Sequence, residues 1–331
     1  MNAAAAPRSA TTRSATPRCA TPGCATDATV DAGAAPATAT AAAAVSVAAA
    51  LRSATAELAA AGCETPRLDA EVLLADGLGV ARSRLHSEPE LVLEPDVLDG
   101  FAETLRRRAD AREPVAYILG RRGFRELELT VDARALIPRP ETEHLLESAL
   151  GLPAGWRVLD VGTGCGAVAL ALAHERPDLI IEGSDLSHGA LALAAGNSAR
   201  LGLAVGWLHA DLLEGVEDRY QAVLANLPYI AEGERASLAP EILRHEPHDA
   251  LFAGTDGLSA IRRLAAQLAL RPQVRFTALE VGAGQAPAVA GLLRDCGFDA
   301  VRSERDLAGI ERVVVGERLA DAGPGRRPVP A

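Results

Sequence analysis

Lysine is missing from the chain altogether, so apart from 7 histidines every cation is one of 33 arginines, and 44 acidic residues leave a formal charge of -11. With no basic excess to neutralise a phosphate backbone, direct nucleic-acid binding is not expected, although a local basic patch stays open. No CxxC pair occurs. The five cysteines, Cys19, Cys24, Cys63, Cys165 and Cys296, leave an odd one over, which suits a reducing, cytoplasmic compartment better than a disulfide framework. No stretch approaches the roughly 20 consecutive apolar residues needed to span a bilayer. The Ala-rich run at 41–50 is broken by Ser46, and no membrane association is expected.

What is present supports a sizeable core: 331 residues at 49% hydrophobic content. That is long enough for two domains of about 150 residues each. Residues 1–45 are nearly all Ala, Thr, Pro, Ser, Gly and Arg, too poor in large apolar side chains to offset the entropy of ordering, and read as a disordered tail. Arg8, Arg13 and Arg18, all ahead of the first acid Asp27, also fit a transit peptide, and a misplaced start would explain the stretch as well. Residues 46–115 carry helical spacing. Leu98, Phe101 and Leu105 recur at i, i+3 and i+7, and Leu68, Val72 and Leu73 do much the same before Gly77, which predicts a small helical domain. Residues 116–140 contain Phe124, Leu127, Leu129 and Val131, the last three at period two, and end in prolines; they read as a β-hairpin linker.

From 141 to 316 short apolar runs alternate with helical stretches. Strands are expected at 158–161, 179–184, 222–226 and 276–281, with helices near 167–175, 188–201 and 256–269. This predicts an α/β fold, a doubly wound and mostly parallel sheet. The last pair, near 299–303 and 310–316, is joined by too little chain for a crossover helix, so it reads as an antiparallel hairpin at the sheet edge. Residues 317–331 read as a second disordered tail.

VLDVGTGCG (158–166) places Gly162, Gly164 and Gly166 between a strand and a helix, where missing side chains let the backbone turn sharply and approach a ligand. The spacing is G-x-G-x-G, whereas the dinucleotide fingerprint G-x-G-x-x-G wants its third glycine at 167, here Ala167. Asp185 follows the second strand, 19 residues past Gly166, where a carboxylate can accept both ribose hydroxyls of an adenosyl ligand such as S-adenosylmethionine. Asp211 could serve the adenine end. A tight turn with no ligand, and strand-end aspartates that merely form turns, remain open readings of these positions.

NLPY (226–229) follows the fourth strand, at the sheet end where ligands sit. An amide nitrogen is a poor nucleophile, because its lone pair is delocalised. The Asn226 side-chain oxygen and the Leu227 carbonyl can accept its two hydrogens, orient it and stabilise the charge that develops as it takes a methyl group. Pro228 stiffens the loop, and Tyr229 offers a planar acceptor a face to pack on. Read as a bare tetrapeptide, NLPY is also an ordinary strand exit.

With EPVAYILG (113–120), LIPRPETEHLL (136–146), EPHDALFAGTDGL (246–258) and DLAGIERVVVG (306–316) added to these motifs, the chain closely resembles the bacterial release-factor glutamine methyltransferase family over roughly 46–316. The resemblance implies a helical domain that grips a peptide-chain release factor, a hairpin linker, and a class I S-adenosylmethionine methyltransferase domain acting on the glutamine of the factor's Gly-Gly-Gln tip. Carried over by position, it assigns cofactor contacts to Gly162, Thr163, Gly164, Cys165, Gly166, Asp185, Leu212 and Asn226. It assigns the acceptor site to Asn226, Leu227, Pro228 and Tyr229. The family usually has proline where Leu227 stands, and some members have an aromatic at Leu212. NLPY is also the form found in ribosomal RNA adenine dimethyltransferases, so adenine-N6 methylation of RNA or DNA is the alternative function. A nicotinamide oxidoreductase and a non-catalytic release-factor or ribosome-binding module are more distant rivals.

Three further features are expected to be structural. His245 and His248 lie three apart but lack companions for a metal site. Arg106, Arg107 and Arg108 read as a solvated helix end that favours its dipole. Glu141 and Glu143, after Pro140, suit a first helical turn as well as an active-site rim.

Overall fold

The computed structural model describes residues 44–319. Most of the expected tail 1–45, and all of 320–331, lie outside the described residues. Ala44 and Val45 are described, and the Val45 carbonyl accepts a bond from Leu93 N at 2.9 Å. Five helices come first: α1 (Val47–Ala60), α2 (Pro66–Leu78), α3 (Arg82–Ser87), α4 (Pro95–Ala109) and α5 (Val115–Leu119). Ser46 caps α1 through its hydroxyl, and Pro66 and Pro95 open α2 and α4, where their missing N–H costs nothing. Leu51, Leu58, Leu73, Leu74, Phe101 and Leu105 interdigitate in one apolar cluster.

Two local expectations fail here. The helix passes Gly77 and stops at Gly79, whose φ of 64° provides the left-handed C-cap. Leu68 is 42% exposed, because Ala70, Leu73 and Leu74 form the inward stripe instead. A larger correction concerns the arginines ending α4. Arg108 is only 5% exposed. It donates to Asp69 Oδ2 at 2.7 Å and to Glu241 Oε1 at 3.0 Å, so its charge is compensated by pairing rather than by water. Arg107 pairs with Glu113.

Helix α5 takes the first residues of the expected linker. The hairpin proper is β1 (Arg121–Phe124) and β2 (Leu127–Thr130), antiparallel, with Phe124 opposite Leu127. After α6 (Thr142–Ala149) come β3 (Arg157–Val161), α7 (Ala167–Glu175), β4 (Ile180–Asp185), α8 (His188–Leu201), β5 (Gly206–His209) and β6 (Ala222–Ala225). The chain ends with α9 (Pro240–His245), α10 (Ser259–Ala269), β7 (Phe276–Glu280), α11 (Ala286–Asp295), β8 (Ala300–Arg305) and β9 (Glu311–Glu317). The strand order is β5-β4-β3-β6-β7-β9-β8, parallel from β3 to β7, with β9 antiparallel to β7 and β8 antiparallel to β9. The order reverses between β3 and β6, which makes that crevice the switch point where doubly wound sheets bind ligands.

Period-two alternation divides the sheet between two cores. Val158, Leu224, Ala278 and Val315 face the cluster that includes α6 and α7, whereas Leu159, Val223, Leu279 and Val314 face the one built with α10 and α11. Strand β9 continues to Glu317, and Arg318 donates to the carbonyls of Leu268, Arg271, Val274 and Cys296 while lying over Phe298. The chain is therefore anchored beyond 316, where a tail was expected to begin.

Candidate active site

The carboxyl ends of β3, β4 and β6 and the turn after β5 surround a cavity of about 600 Å³. Its floor is the turn from β3 into α7. Gly162, Gly164 and Gly166 have φ of 73°, 58° and 86°, a conformation that side chains oppose. The amides of Gly162 and Thr163 both donate to the Ser184 carbonyl, at 2.8 and 2.9 Å. Beneath them Asp160, 2% exposed, accepts from Thr163 Oγ1 at 2.6 Å and from Ala169 N at 3.2 Å. Burial pushes the Asp160 carboxyl up to about 6, against those two hydrogen bonds.

Gly162, Thr163, Gly164, Cys165, Asp185 and Leu212 all line the cavity; Gly166 does not. A Cβ on Gly166 would stand 2.9 Å from the Trp207 ring, 3.0 Å from Leu170 and 3.2 Å from Ala194, so this glycine permits packing behind the loop. Trp207 lies closer still to Gly183, where a Cβ would be 2.5 Å from its ring. Cys165 is buried, which raises its thiol to about 12 and keeps it protonated. Its carbonyl accepts from Asn197 Nδ2 at 3.0 Å, and the same Asn197 amide exchanges two bonds with the Thr130 backbone. One buried side chain thus joins the hairpin to the glycine turn.

Asp185 accepts from Gly164 N at 2.9 Å through Oδ2 and from Ser187 N at 2.8 Å through Oδ1, which fixes the carboxylate at the cavity edge. Ser187 caps α8 as well. Asp211 lines the cavity but is engaged by Arg263 at 2.7 Å. Leu212 beside it adopts φ 55°, an uncommon conformation outside glycine.

Beside the glycine turn, at the end of the neighbouring strand β6, Asn226, Leu227 and Pro228 also line the cavity. The Leu227 side chain is 5% exposed and packs on the turn itself, so that a Cβ on Gly162 would be 3.1 Å from it. Asn226 Nδ2 donates to Thr142 Oγ1 at 3.0 Å. Among the described residues, neither Asn226 Oδ1 nor the Leu227 carbonyl accepts a hydrogen bond. Tyr229 stands apart from the cavity, with its hydroxyl 3.4 Å from Glu280 Oε1 and its ring against Gly282.

Several residues of the site escaped sequence reasoning. Asp160 and Glu280 each break an apolar run on a buried strand, the one local signal that they carried. Thr142 had no signal of its own. Arg139 pairs with Glu246, 4% exposed, which also accepts from Ile137 N at 3.3 Å and so ties the LIPRP block to the cavity rim. His245 and His248, in turn, contact the carbonyls of Ala111 and Leu243 at 2.8 Å each.

Family models match two stretches of the chain, the PrmC N-terminal domain over 49–120 and the methyltransferase small domain over 141–257. The release factor glutamine methyltransferase of Cereibacter sphaeroides is 44% identical over 269 residues, spanning 80% of this chain and 96% of that protein. The protein of the same name from Rhodospirillum rubrum is 40% identical over 272 residues, covering 81% of this chain and 83% of its own length. Among solved structures, the hMettl16 catalytic domain in complex with a MAT2A 3'UTR hairpin is similar at 16% identity and a TM-score of 0.48, over 70% of this chain and 86% of that one. Identity of this degree over most of this chain and of such relatives, together with the two domain matches, establishes that the chain belongs to the release factor glutamine methyltransferase family.

Proposed function

We propose that this chain methylates the side-chain amide nitrogen of a release-factor glutamine, the one in the Gly-Gly-Gln motif, with S-adenosylmethionine as donor. The observation that carries the reading is the pair of unengaged acceptors, Asn226 Oδ1 and the Leu227 carbonyl, on residues that line the cavity beside the glycine turn. A primary amide carries two hydrogens to satisfy, and two fixed acceptors match it.

The donor fits the glycine turn itself. Gly164 lies open to the cavity, with only Ala135 Cβ within 4 Å of where its own Cβ would be, so a ligand can approach the backbone there. The two Asp185 oxygens retain lone pairs for ribose hydroxyls beyond the bonds to Gly164 and Ser187. Gly162, Thr163, Cys165 and Leu212 complete the cradle, and Gly166 shapes it from behind. When bound, the cofactor supplies an electrophilic methyl group on a sulfonium.

The chain's own contribution is to hold the acceptor. Asn226 and Leu227 accept the amide hydrogens and draw the nitrogen into line. As that nitrogen becomes cationic, their oxygens stabilise it, and its surplus proton would pass to water at the cavity mouth. Pro228 limits the wall's freedom, and Tyr229 supports it from outside the cavity. Helices α1 to α5 are the proposed grip on the release factor.

Incubation with labelled S-adenosylmethionine and a cognate release factor, followed by mass spectrometry, tests the reading. A label on the Gly-Gly-Gln glutamine supports it; methylated RNA with untouched glutamine overturns it in favour of adenine chemistry.

A further inference from the structure

The acceptor loop leaves the sheet after Ala225, which pairs with Val161 on one side and Leu279 on the other. Its far end, Tyr229, lies outside the cavity, and the Tyr229 carbonyl is held by one side chain, Gln285, the residue before α11. Gln285 Nε2 donates to that carbonyl at 2.9 Å and to the Asp256 carbonyl at 3.3 Å, while Oε1 accepts from Gly282 N at 2.8 Å. Among the described residues no other group donates to the Tyr229 carbonyl. Glycine makes room for the bond. Gly257 has φ 74°, and a Cβ there would stand 2.1 Å from the Tyr229 oxygen and 2.7 Å from Gln285 Nε2. The connections after β6, before α10 and after β7 therefore meet on a single amide.

Building on the proposed methylation of glutamine, we infer that Gln285 is a positioning residue of the acceptor site, which fixes the Leu227 carbonyl and the Asn226 side chain by holding the Tyr229 carbonyl. Peptide planes turn as units, so the Leu227 carbonyl rotates only if the bonds on either side of it rotate too. The sheet limits that rotation before Asn226, and Pro228 fixes one φ within the loop. At the exit it is limited by Gln285 and then by the bond from Ile230 N to the Leu251 carbonyl at 3.0 Å. Of these two exit contacts, only Gln285 reaches back to the end of β7, through Gly282. Losing it leaves the exit tied to the Leu251 segment alone, and a displacement of about 1 Å at a reacting group costs up to roughly 10²-fold in rate.

The two ends of the Gln285 amide have opposite duties, a donor for the Tyr229 and Asp256 oxygens and an acceptor for Gly282 N. A glutamate of the same shape meets both only while it keeps its proton. The carbonyl oxygens of Tyr229 and Asp256 favour that protonated form, so a glutamate at 285 should titrate above the ordinary value of about 4.3. The charged groups on the elements around it are Asp256, whose carboxylate is paired with Arg262 at 3.0 Å, and Glu280, which the Tyr229 hydroxyl contacts.

The test measures kcat of the full chain, saturated with donor and release factor, between roughly pH 5 and 8 and well below the melting temperature of each variant. Gln285→Met, similar in length but unable to donate, should lower kcat by roughly tenfold or more at every pH. Gln285→Glu should be as slow at the alkaline end, and its rate relative to the parent should climb as the pH falls and the carboxyl regains a donor. Donor affinity by calorimetry should match the parent in both, since Gln285 does not line the cavity. A role confined to stability would lower the melting temperature and leave kcat of the folded protein unchanged. Amide exchange read by mass spectrometry needs no substrate: in Gln285→Met residues 226–232 should exchange faster, and residues 158–170 should not. If the chain proves inactive on release factors, the proposed function falls and exchange alone decides the inference. Parent-like kcat in Gln285→Met, no recovery of Gln285→Glu on acidification, or unaltered exchange over 226–232 would each overturn it.

Discussion

Arg108 and Glu241 stand 133 residues apart in the sequence and 3.0 Å apart in the fold. Glu241 Oε2 also accepts from Arg112 Nη2 at 2.8 Å, so one carboxylate on α9 answers two arginines at the end of the helical region. Glu241→Gln keeps the shape but puts an amide donor against guanidinium. It should destabilise the chain by about 1–3 kcal/mol, the cost of leaving a buried polar group unsatisfied, read as a lower urea midpoint.

Gly164→Val should abolish donor binding, because φ of 58° strains a branched residue and its side chain would enter the cavity. Asp185→Ala should weaken binding by roughly tenfold while sparing the fold. Calorimetry with S-adenosylmethionine decides both, and unchanged affinity in the pair would remove the donor-site assignment.

Asn226→Ala should retain donor affinity and lose methyl transfer by about 10²–10³, the usual cost of deleting a transition-state contact. Single-turnover assays with a release factor measure it. Near-normal turnover would sink the amide-orientation mechanism.

Leu227 separates packing from chemistry. Its side chain is buried against Gly162, so Leu227→Ala should cost about 2–3 kcal/mol of stability through the space it leaves. The backbone carbonyl survives that change, and transfer to glutamine should survive with it, provided that the assay is run well below the melting temperature.

Stability should depend on pH through Glu280, whose folded carboxyl titrates at about 7 rather than near 4.5. An acid with a raised folded pKa holds its proton more tightly when folded, so its contribution to stability is full at low pH and is lost as pH climbs from the lower value through the upper. Glu280→Gln should therefore melt higher than the parent at about pH 8 and draw level near pH 4. Equal melting points at both pH values would contradict the buried, proton-binding carboxyl.

Legibility followed locality. Helices α7 and α8 occupy the spans expected for them, and in the structure Ser187 caps the second and Gly202 closes it. Strands β3, β4, β6 and β7 were readable from their apolar residues and the edge hairpin from its short connection, whereas β5, with four residues and Gly206 at its start, was not among the expected strands. Arg108 was misread because its partners lie 39 and 133 residues away, and a helix-end arginine with no visible partner looks solvated. The glycine spacing identified the turn but not the separate duty of Gly166, since its crowding comes from Trp207 on β5. That the Tyr229 hydroxyl faces Glu280 was not readable, since it depends on where β7 ends. Thr142 became a site residue only once α6 was seen to start beside β6.

The chain has two tryptophans, and one of them, Trp207, rests on the back of the glycine turn, in contact range of both Gly166 and Gly183. The other, Trp156, stands just before β3, where its carbonyl accepts from Ile180 at 2.9 Å. A fluorophore therefore stands behind the proposed donor site. In a Trp156→Phe background, with excitation to the red of tyrosine absorption, the emission arises from that single indole, and its intensity and colour become an unlabelled optical record of whether the turn in front of it has moved.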